Sequence, residues 1–219
     1  MKNEKIVFFY EDPSILTFAR KHLHTSHFYP ICLKLQDLPT YSISNDYLKS
    51  CIQQNNVTLQ ALSKGNEKGL IHYRRDYKQS GPENFRRIFT VWSSKVFLVN
   101  QIVDLNPYQT SKFAWVDASY ARFLRPKKPN KWNLDFYRHD FTPSFIYHYS
   151  SNMKYYGKSI QIHAAFMIGG EPEWKKLLDL YKEQLEISKT SNYAHDEETL
   201  LHLVSERGPT LFHKIDRTK

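Results

Sequence analysis

The sequence contains little of what would assign it to a class at once. It has two cysteines, Cys32 and Cys51, without a CxxC pair or a histidine at ligand spacing, which excludes a disulfide scaffold and a Cys–His zinc site. Its seven glycines and ten prolines are too few for low-complexity linkers. No apolar run approaches the ~18 residues that a membrane-spanning helix needs.

The amino terminus is also short of apolar residues. The first five residues carry charge, and only five apolar or aromatic residues then precede Glu11 and Asp12. That run is too short for the hydrophobic region of a signal peptide. We therefore expect a cytoplasmic protein.

Basic residues outnumber acidic ones, giving a formal net charge of +9 and a pI near 9.4. This charge favours anionic partners such as nucleotides, phosphorylated substrates, nucleic acid or acidic lipid headgroups. Peripheral contact with an anionic membrane fits this charge. A nucleic-acid partner is the least favoured of these, because the basic residues are scattered and no RNA-binding motif is present.

Length and composition favour one domain over residues 1–219, with 41% hydrophobic and 15% aromatic residues to build its core. A strand over 6–10, a helix over 13–23 with Ile15, Leu16 and Ala19 inward, and a strand over 29–35 predict a parallel α/β sheet. The same criteria predict helices over 45–54, 82–103, 172–185 and 197–206, and strands over 113–116, 145–149, 159–168 and 210–215.

The stretch KFAWVDAS at residues 112–119 is the most informative motif. Its apolar run without polar alternation predicts a strand that is buried on both faces, as in a parallel sheet. Asp117 then falls at the carboxyl end of the strand, where α/β proteins bind ligands. There it would hold a divalent cation, hydrogen-bond a sugar or ribose hydroxyl, or simply cap the next helix.

Lys95 lies on or beside the apolar stripe of the helix predicted over 82–103. A lysine in that position either extends to water or meets an anion. Because this helix leads directly into the strand before Asp117, the anion would be a ligand phosphate or the Asp117 carboxylate.

Glycines and acids mark two further positions. Gly169 and Gly170 lie between a strand and a helix, where they allow a ligand to approach the backbone or merely form a tight turn. Asp196 and Glu197, followed by a third acid, open the last helix. They either stabilise its positive end or supply a general base or acceptor-binding carboxylate.

Two histidines, His163 and His213, stand in apolar strand contexts. Each is either a hydrogen-bonded core histidine or a metal ligand beside Asp117. The aromatic stretch over 132–156 is mixed with basic residues. This mixture suits stacking on sugars or bases, and equally an ordinary sheet face.

The order of these motifs resembles a known family. WSSK at 92–95, NPY at 106–108, FAWVDA at 113–118 and AAFMIGG at 164–170 are similar to the HtrL/YibB proteins. These are bacterial proteins linked to lipopolysaccharide biosynthesis, and they look like glycosyltransferases of the GT-A fold. The resemblance implies a mostly parallel sheet flanked by helices, and the transfer of a sugar from a nucleotide-sugar donor to a glycan or glycolipid acceptor.

The resemblance also implies roles for single residues. Asp117 would take the place of the fold's acidic motif, with Asp196 or Glu197 facing the acceptor. The residues that would bind the donor are Lys95, Trp115, Ser119, Gly169 and Gly170. Mn²⁺ or Mg²⁺ would offset the charge of the departing diphosphate.

Two departures from the family pattern bear on activity. The acidic motif has one carboxylate instead of two, so a metal would depend on phosphate oxygens or on a distant ligand such as His213. The first strand-helix unit of the fold is also expected to be missing, because residues 6–10 resemble its second strand. The alternative function is therefore a non-catalytic sugar- or nucleotide-binding module with a truncated donor site.

Overall fold

The structure is a computed structural model that describes most of the chain. The described residues are 5–22, 27–53, 79–117, 141–142, 144–190 and 196–215. The first part of the aromatic stretch, 132–140, lies outside them.

The chain opens with the expected strand-helix-strand unit. Strand β1 (Lys5–Tyr10) and strand β2 (His27–Cys32) pair in parallel, with helix α1 (Pro13–His22) between them. Asp12 starts α1 by accepting a hydrogen bond from the Ser14 backbone N–H at 2.8 Å. The predicted inner face is only partly right, because Ala19 is buried whereas Ile15 is 51% exposed.

Two long helices follow, α2 (Tyr41–Gln53) and α3 (Pro82–Leu105). Proline at the first position of α3 costs no hydrogen bond, and Asn106 in a left-handed conformation (φ 36°) ends the helix. Thr40, the residue directly before α2, makes a buried polar contact with α3, in which its hydroxyl lies 2.7 Å from Ser93 Oγ. This fixes the part of α3 that also carries Lys95.

The main sheet is mixed, which corrects the expected mostly parallel sheet. Its strands are β3 (Lys112–Val116), β4 (Ile146–Tyr149), β7 (His163–Gly170) and β8 (Phe212–Lys214). Their order is β3-β7-β4-β8. The β3/β7 and β7/β4 pairs are antiparallel, and only β4/β8 is parallel. Strands β5 (Lys154–Tyr155) and β6 (Lys158–Ser159) form a separate hairpin.

Strand β3 does not have the predicted burial on both faces. Phe113 and Trp115 face inward, whereas Ala114 is exposed and Val116 is 43% exposed. Among the described residues β3 is therefore covered on one face only, and it lies at the edge of the sheet.

Helix α4 (Glu171–Ser188) and helix α5 (Glu197–Arg207) complete the core against α3 and the sheet. Both helices turn apolar residues toward the core. Those buried to 1% exposure or less are Trp174, Leu177, Tyr181, Leu185, Leu200, Leu201 and Val204, whereas Leu178 is partly buried. The Trp174 indole N–H donates to the Phe113 carbonyl at 3.0 Å and so ties α4 to β3. None of the described helices is long and apolar enough to cross a membrane.

Candidate functional site

A buried lysine joins two carboxylates at the carboxyl end of β3. Lys95 comes from the middle of α3, Asp117 directly follows β3, and Glu197 is the first residue of α5. Lys95 Nζ lies 2.9 Å from Asp117 Oδ1 and 3.2 Å from Glu197 Oε1. Three of the residues predicted for the site therefore form one ion-pair centre, and Lys95 meets Asp117, one of the two anions expected for it.

Asp117 is the member of this centre that solvent reaches best. Its side chain is 24% exposed, against 10% for Glu197 and 4% for Lys95. Trp115 fixes the orientation of the carboxylate, since its indole N–H donates to Asp117 Oδ1 at 2.6 Å. The backbone N–H of Asp117 donates to the Ala165 carbonyl at 2.9 Å, which continues the β3/β7 pairing by one residue.

The two carboxylates keep the buried lysine charged. Burial works to lower the pKa of Lys95, but the charges of Glu197 and Asp117 and their hydrogen bonds outweigh it and raise the pKa. The lysine also lies 5.8 Å from the centre of the Trp115 ring. One ammonium against two carboxylates leaves the centre with a formal charge of −1.

The acids beside Glu197 are engaged in structural contacts. Asp196 caps α5, where its carboxylate accepts the Thr199 backbone N–H at 2.9 Å. Glu198 is 4% exposed, and it accepts the Ser151 hydroxyl at 2.9 Å and the Ala164 N–H at 3.2 Å. These contacts anchor the start of α5 to β7, and so hold Glu197 against Lys95.

His163 belongs to the same anchored region. Its Nδ1 accepts the Ala165 N–H at 3.3 Å, and its Nε2 lies 3.9 Å from Glu198 Oε1. The ring is 12% exposed. This corresponds to the hydrogen-bonded core histidine rather than a metal ligand.

The glycine pair lies away from this centre. Gly169 pairs with Phe113, four residues before Asp117 on β3, which corresponds to about 13 Å along the strand. A Cβ on Gly169 would lie 2.6 Å from Ile146 Cδ1 and 3.1 Å from the Phe145 carbonyl oxygen. The absence of a side chain at Gly169 is therefore explained by the close packing of β7 on β4. Gly170 is the last residue of β7 and caps α4.

His213 is not brought to Asp117. It lies on β8, at the opposite edge of the four-stranded sheet from β3, which is three strand spacings or about 14 Å away. It packs instead beside the Phe145 and Tyr147 rings, at centroid distances of 5.4 and 5.1 Å. Ser119, the remaining predicted donor-binding residue, lies outside the described residues.

The described residues do not make a protein-held cation site at Asp117. Among them no group of three histidine, cysteine, aspartate or glutamate side chains could hold a metal ion. The Lys95 ammonium already lies 2.9 Å from the Asp117 carboxylate, where a divalent cation would have to bind. The expected Mn²⁺ or Mg²⁺ thus finds a poor set of ligands in this part of the chain.

A cavity of about 450 Å³, a size typical of small-molecule sites, lies along the first half of α3. It lies at the carboxyl ends of β1 and β2 and along one face of α3. Its lining residues are Glu11, Leu35, Asn84, Arg87, Ile88, Val91 and Trp92. Lys95 is three residues after Trp92, about 4.5 Å further along nearly the same helix face. The last lining residue of α3, Trp92, therefore lies about one helical turn before Lys95.

Sequence reasoning missed the residues that line this cavity. Glu11 follows β1 as Asp117 follows β3, so the rule that singled out Asp117 would also have found Glu11. Trp92 stands in the WSSK motif without a predicted role of its own, and Arg87 left no comparable signal, because it resembles any exposed residue of a long helix.

The fold and this centre define a mixed α/β protein with a buried, charged site at a sheet edge. A family model described as "Bacterial protein of unknown function (HtrL_YibB)" matches residues 1–219. The chain belongs to the HtrL_YibB family. No curated protein and no solved structure gave a significant match.

Proposed function

We propose that this chain is a glycosyltransferase-like protein of the GT-A type. It would transfer a sugar from a nucleotide-sugar donor to a glycan or lipopolysaccharide-type acceptor. The observation that carries the proposal is the Asp117 carboxylate, held by Lys95 and Trp115 at a strand end and still 24% exposed. That exposure leaves the carboxylate accessible to a ligand.

The cavity supplies the place for the donor nucleotide. The Trp92 indole offers a surface on which a base can stack, and Glu11 offers an acceptor for ribose hydroxyls. Arg87 places a positive charge in the same lining for the phosphates. The sugar would then extend along α3 toward Asp117, whose free lone pairs accept its hydroxyls.

The transfer step breaks the bond between the anomeric carbon and the diphosphate oxygen and forms one to an acceptor hydroxyl oxygen. The bonding electrons leave with the diphosphate, and the acceptor proton must pass to a base. The carboxylates of Glu197 and Asp196 stay the predicted candidates for that base, although the first is paired with Lys95 and the second caps α5. The expected divalent cation also stays a prediction, and no step here depends on it.

One observation favours the alternative, a binding module without turnover. Lys95 neutralises one of the two carboxylates, and both carboxylates lie within 3.2 Å of the same ammonium. Such a centre can accept hydroxyl hydrogen bonds from a sugar without supplying a free base. Binding of a donor without release of nucleotide would identify this case.

The test measures donor binding by calorimetry with uridine, guanosine and adenosine diphosphate sugars, in Mn²⁺ and in EDTA. We expect one donor to bind the wild type and Asp117→Asn to weaken it at least about tenfold, the loss of a charge-assisted contact. Asp104→Asn is the matched control, because Asp104 is 71% exposed near the end of α3. Failure of every donor to bind the wild type, or equal binding by Asp117→Asn, would refute the proposal.

Turnover is measured separately, as release of the nucleoside diphosphate with and without a glycan acceptor. Release that increases with acceptor supports the transferase. Binding without release supports the binding module and rejects the enzyme.

A further inference from the structure

The ion-pair centre presents a negative group to solvent and keeps its positive group inside. The side chain of Asp117 is 24% exposed, whereas that of Lys95 is 4% exposed. The Lys95 ammonium lies between two carboxylates, 2.9 Å from Asp117 and 3.2 Å from Glu197. A ligand that approaches from solvent therefore meets the Asp117 carboxylate before it meets the ammonium.

The hydrogen-bonding capacity of Asp117 is only partly used inside the protein. The Trp115 indole N–H donates to Oδ1 at 2.6 Å, and Lys95 Nζ lies 2.9 Å from the same oxygen. Lys95 also donates to Oδ2, at the longer distance of 3.2 Å. An ionised carboxylate has about four acceptor positions and no donor. The position that stays open is on Oδ2, and only a hydrogen-bond donor can fill it.

The positive charge beside Asp117 is shared. Lys95 contacts Glu197 as well, so one ammonium faces two carboxylates. Strand β3 adds no second cation near Asp117, because its one charged residue, Lys112, starts the strand about 16 Å away. An acidic group brought next to Asp117 would therefore be repelled, and repulsion between like charges is strong in a partly buried site.

We propose that Asp117 selects the donor sugar by charge. It accepts a neutral or amino-substituted sugar through Oδ2, and it rejects an acidic sugar such as a uronic acid. This inference rests on the proposed function, because it requires that the sugar reaches Asp117, and it adds the class of sugar. The formal net charge of +9 would by itself favour the more anionic donor, so the selection runs against the overall charge of the chain.

The test compares, by calorimetry, donors that differ only at the sixth carbon of the sugar. Nucleoside diphosphate glucose and galactose are each paired with the corresponding uronic acid. The uronamide of each sugar has the shape of the acid without its charge. We expect the wild type to bind the neutral sugar at least about tenfold more tightly than the acid. The uronamide should bind with an affinity close to that of the neutral sugar.

Two variants assign the selection to the carboxylate. Asp117→Asn keeps the shape of the side chain and removes its charge, so the affinities for the neutral and the acidic donor should come within about threefold of each other. Asp104→Asn is the matched control, because Asp104 is 71% exposed near the end of α3, and it should leave the ratio of the wild type unchanged. Circular dichroism of each variant shows that a changed affinity is not a lost fold.

The possible failures can be told apart. If no donor binds the wild type, the proposed function is refuted and the selection of the sugar falls with it. If donors bind but the acid binds as tightly as the neutral sugar, the selection alone is refuted. A uronamide that binds as weakly as the acid would show that shape rather than charge excludes the acid. An unchanged ratio in Asp117→Asn would show that another residue makes the selection.

Discussion

Two lysines of this chain each contact two carboxylates, and they differ mainly in burial. Lys95 lies against Asp117 and Glu197 with 4% of its side chain exposed. Lys175 lies 2.7 Å from Glu171 and 3.6 Å from Asp104 with 51% exposed. Replacing each lysine by methionine keeps an unbranched side chain that is one atom shorter and removes the charge.

The expected losses differ because water screens only one of the two sites. Without Lys95, the Glu197 carboxylate stays 90% buried with its cation gone, which costs about 3–5 kcal/mol. At a urea m-value of about 2 kcal/mol/M, the unfolding midpoint falls by about 1.5–2.5 M. Lys175→Met should move the midpoint little, since exposed ion pairs contribute little.

Urea unfolding followed by circular dichroism measures both midpoints under identical conditions. A third variant, Lys95→Met with Glu197→Gln, also removes the unpaired carboxylate, so its urea midpoint should lie between those of Lys95→Met and the wild type. Equal midpoints for Lys95→Met and Lys175→Met would refute the interpretation of Lys95 as the cation of a buried centre. So would the absence of any recovery in the double variant.

Two further predictions concern packing and acid stability. Gly169→Ala should destabilise the protein by about 1–3 kcal/mol through the contact with Ile146 Cδ1. Ile146→Val removes that atom, so it should destabilise the Gly169→Ala variant less than it destabilises the wild type. Thermal melts of the four chains in this cycle measure the coupling, and simple additivity would contradict the contact. Burial lowers the pKa of His148 to about 4, so below pH 6.5 the unfolded chain binds a proton that the folded chain does not. The free energy of unfolding of the wild type should therefore fall by about 3 kcal/mol more between pH 6.5 and pH 4 than that of His148→Gln. Equal falls in the two proteins would show that His148 does not cause the loss of stability in acid.

The helices could be predicted from the sequence because their apolar stripes are long and regular. The stripe of α4 includes Trp174 and Tyr181 at seven-residue spacing, and both are at most 1% exposed. Proline at the start and asparagine at the end also fixed the bounds of α3 closely. Local rules suffice where one face of a helix meets a core.

The sheet could not be predicted in the same way. The apolar run of β3 indicated burial on both faces, yet Ala114 and Val116 face outward. β-Branched residues suit a half-covered strand as well as a buried one, so composition does not separate the two. The antiparallel partner of β3 comes from β7, about fifty residues later, and such pairings leave no local signal.

The candidate site was predicted residue by residue, but not as an arrangement. Lys95 and Asp117 were expected to lie close together, since one element leads into the other. Glu197 joins them only because α5 starts beside β7, and His213 stays away because β8 is at the far edge. The order of the strands and the position of α5 determine both results, and the spacing of residues along the sequence does not reveal either.

Stability alone does not explain why this centre is charged. Buried ion pairs can often be replaced by apolar residues of similar volume without loss, and sometimes with gain. If Lys95, Asp117 and Glu197 served only to join α3, β3 and α5, three apolar side chains would do so at least as well. Asp117 is also the most exposed of the three. We propose that the charge serves an interaction of the folded chain with a ligand, which the binding experiment on Asp117→Asn tests.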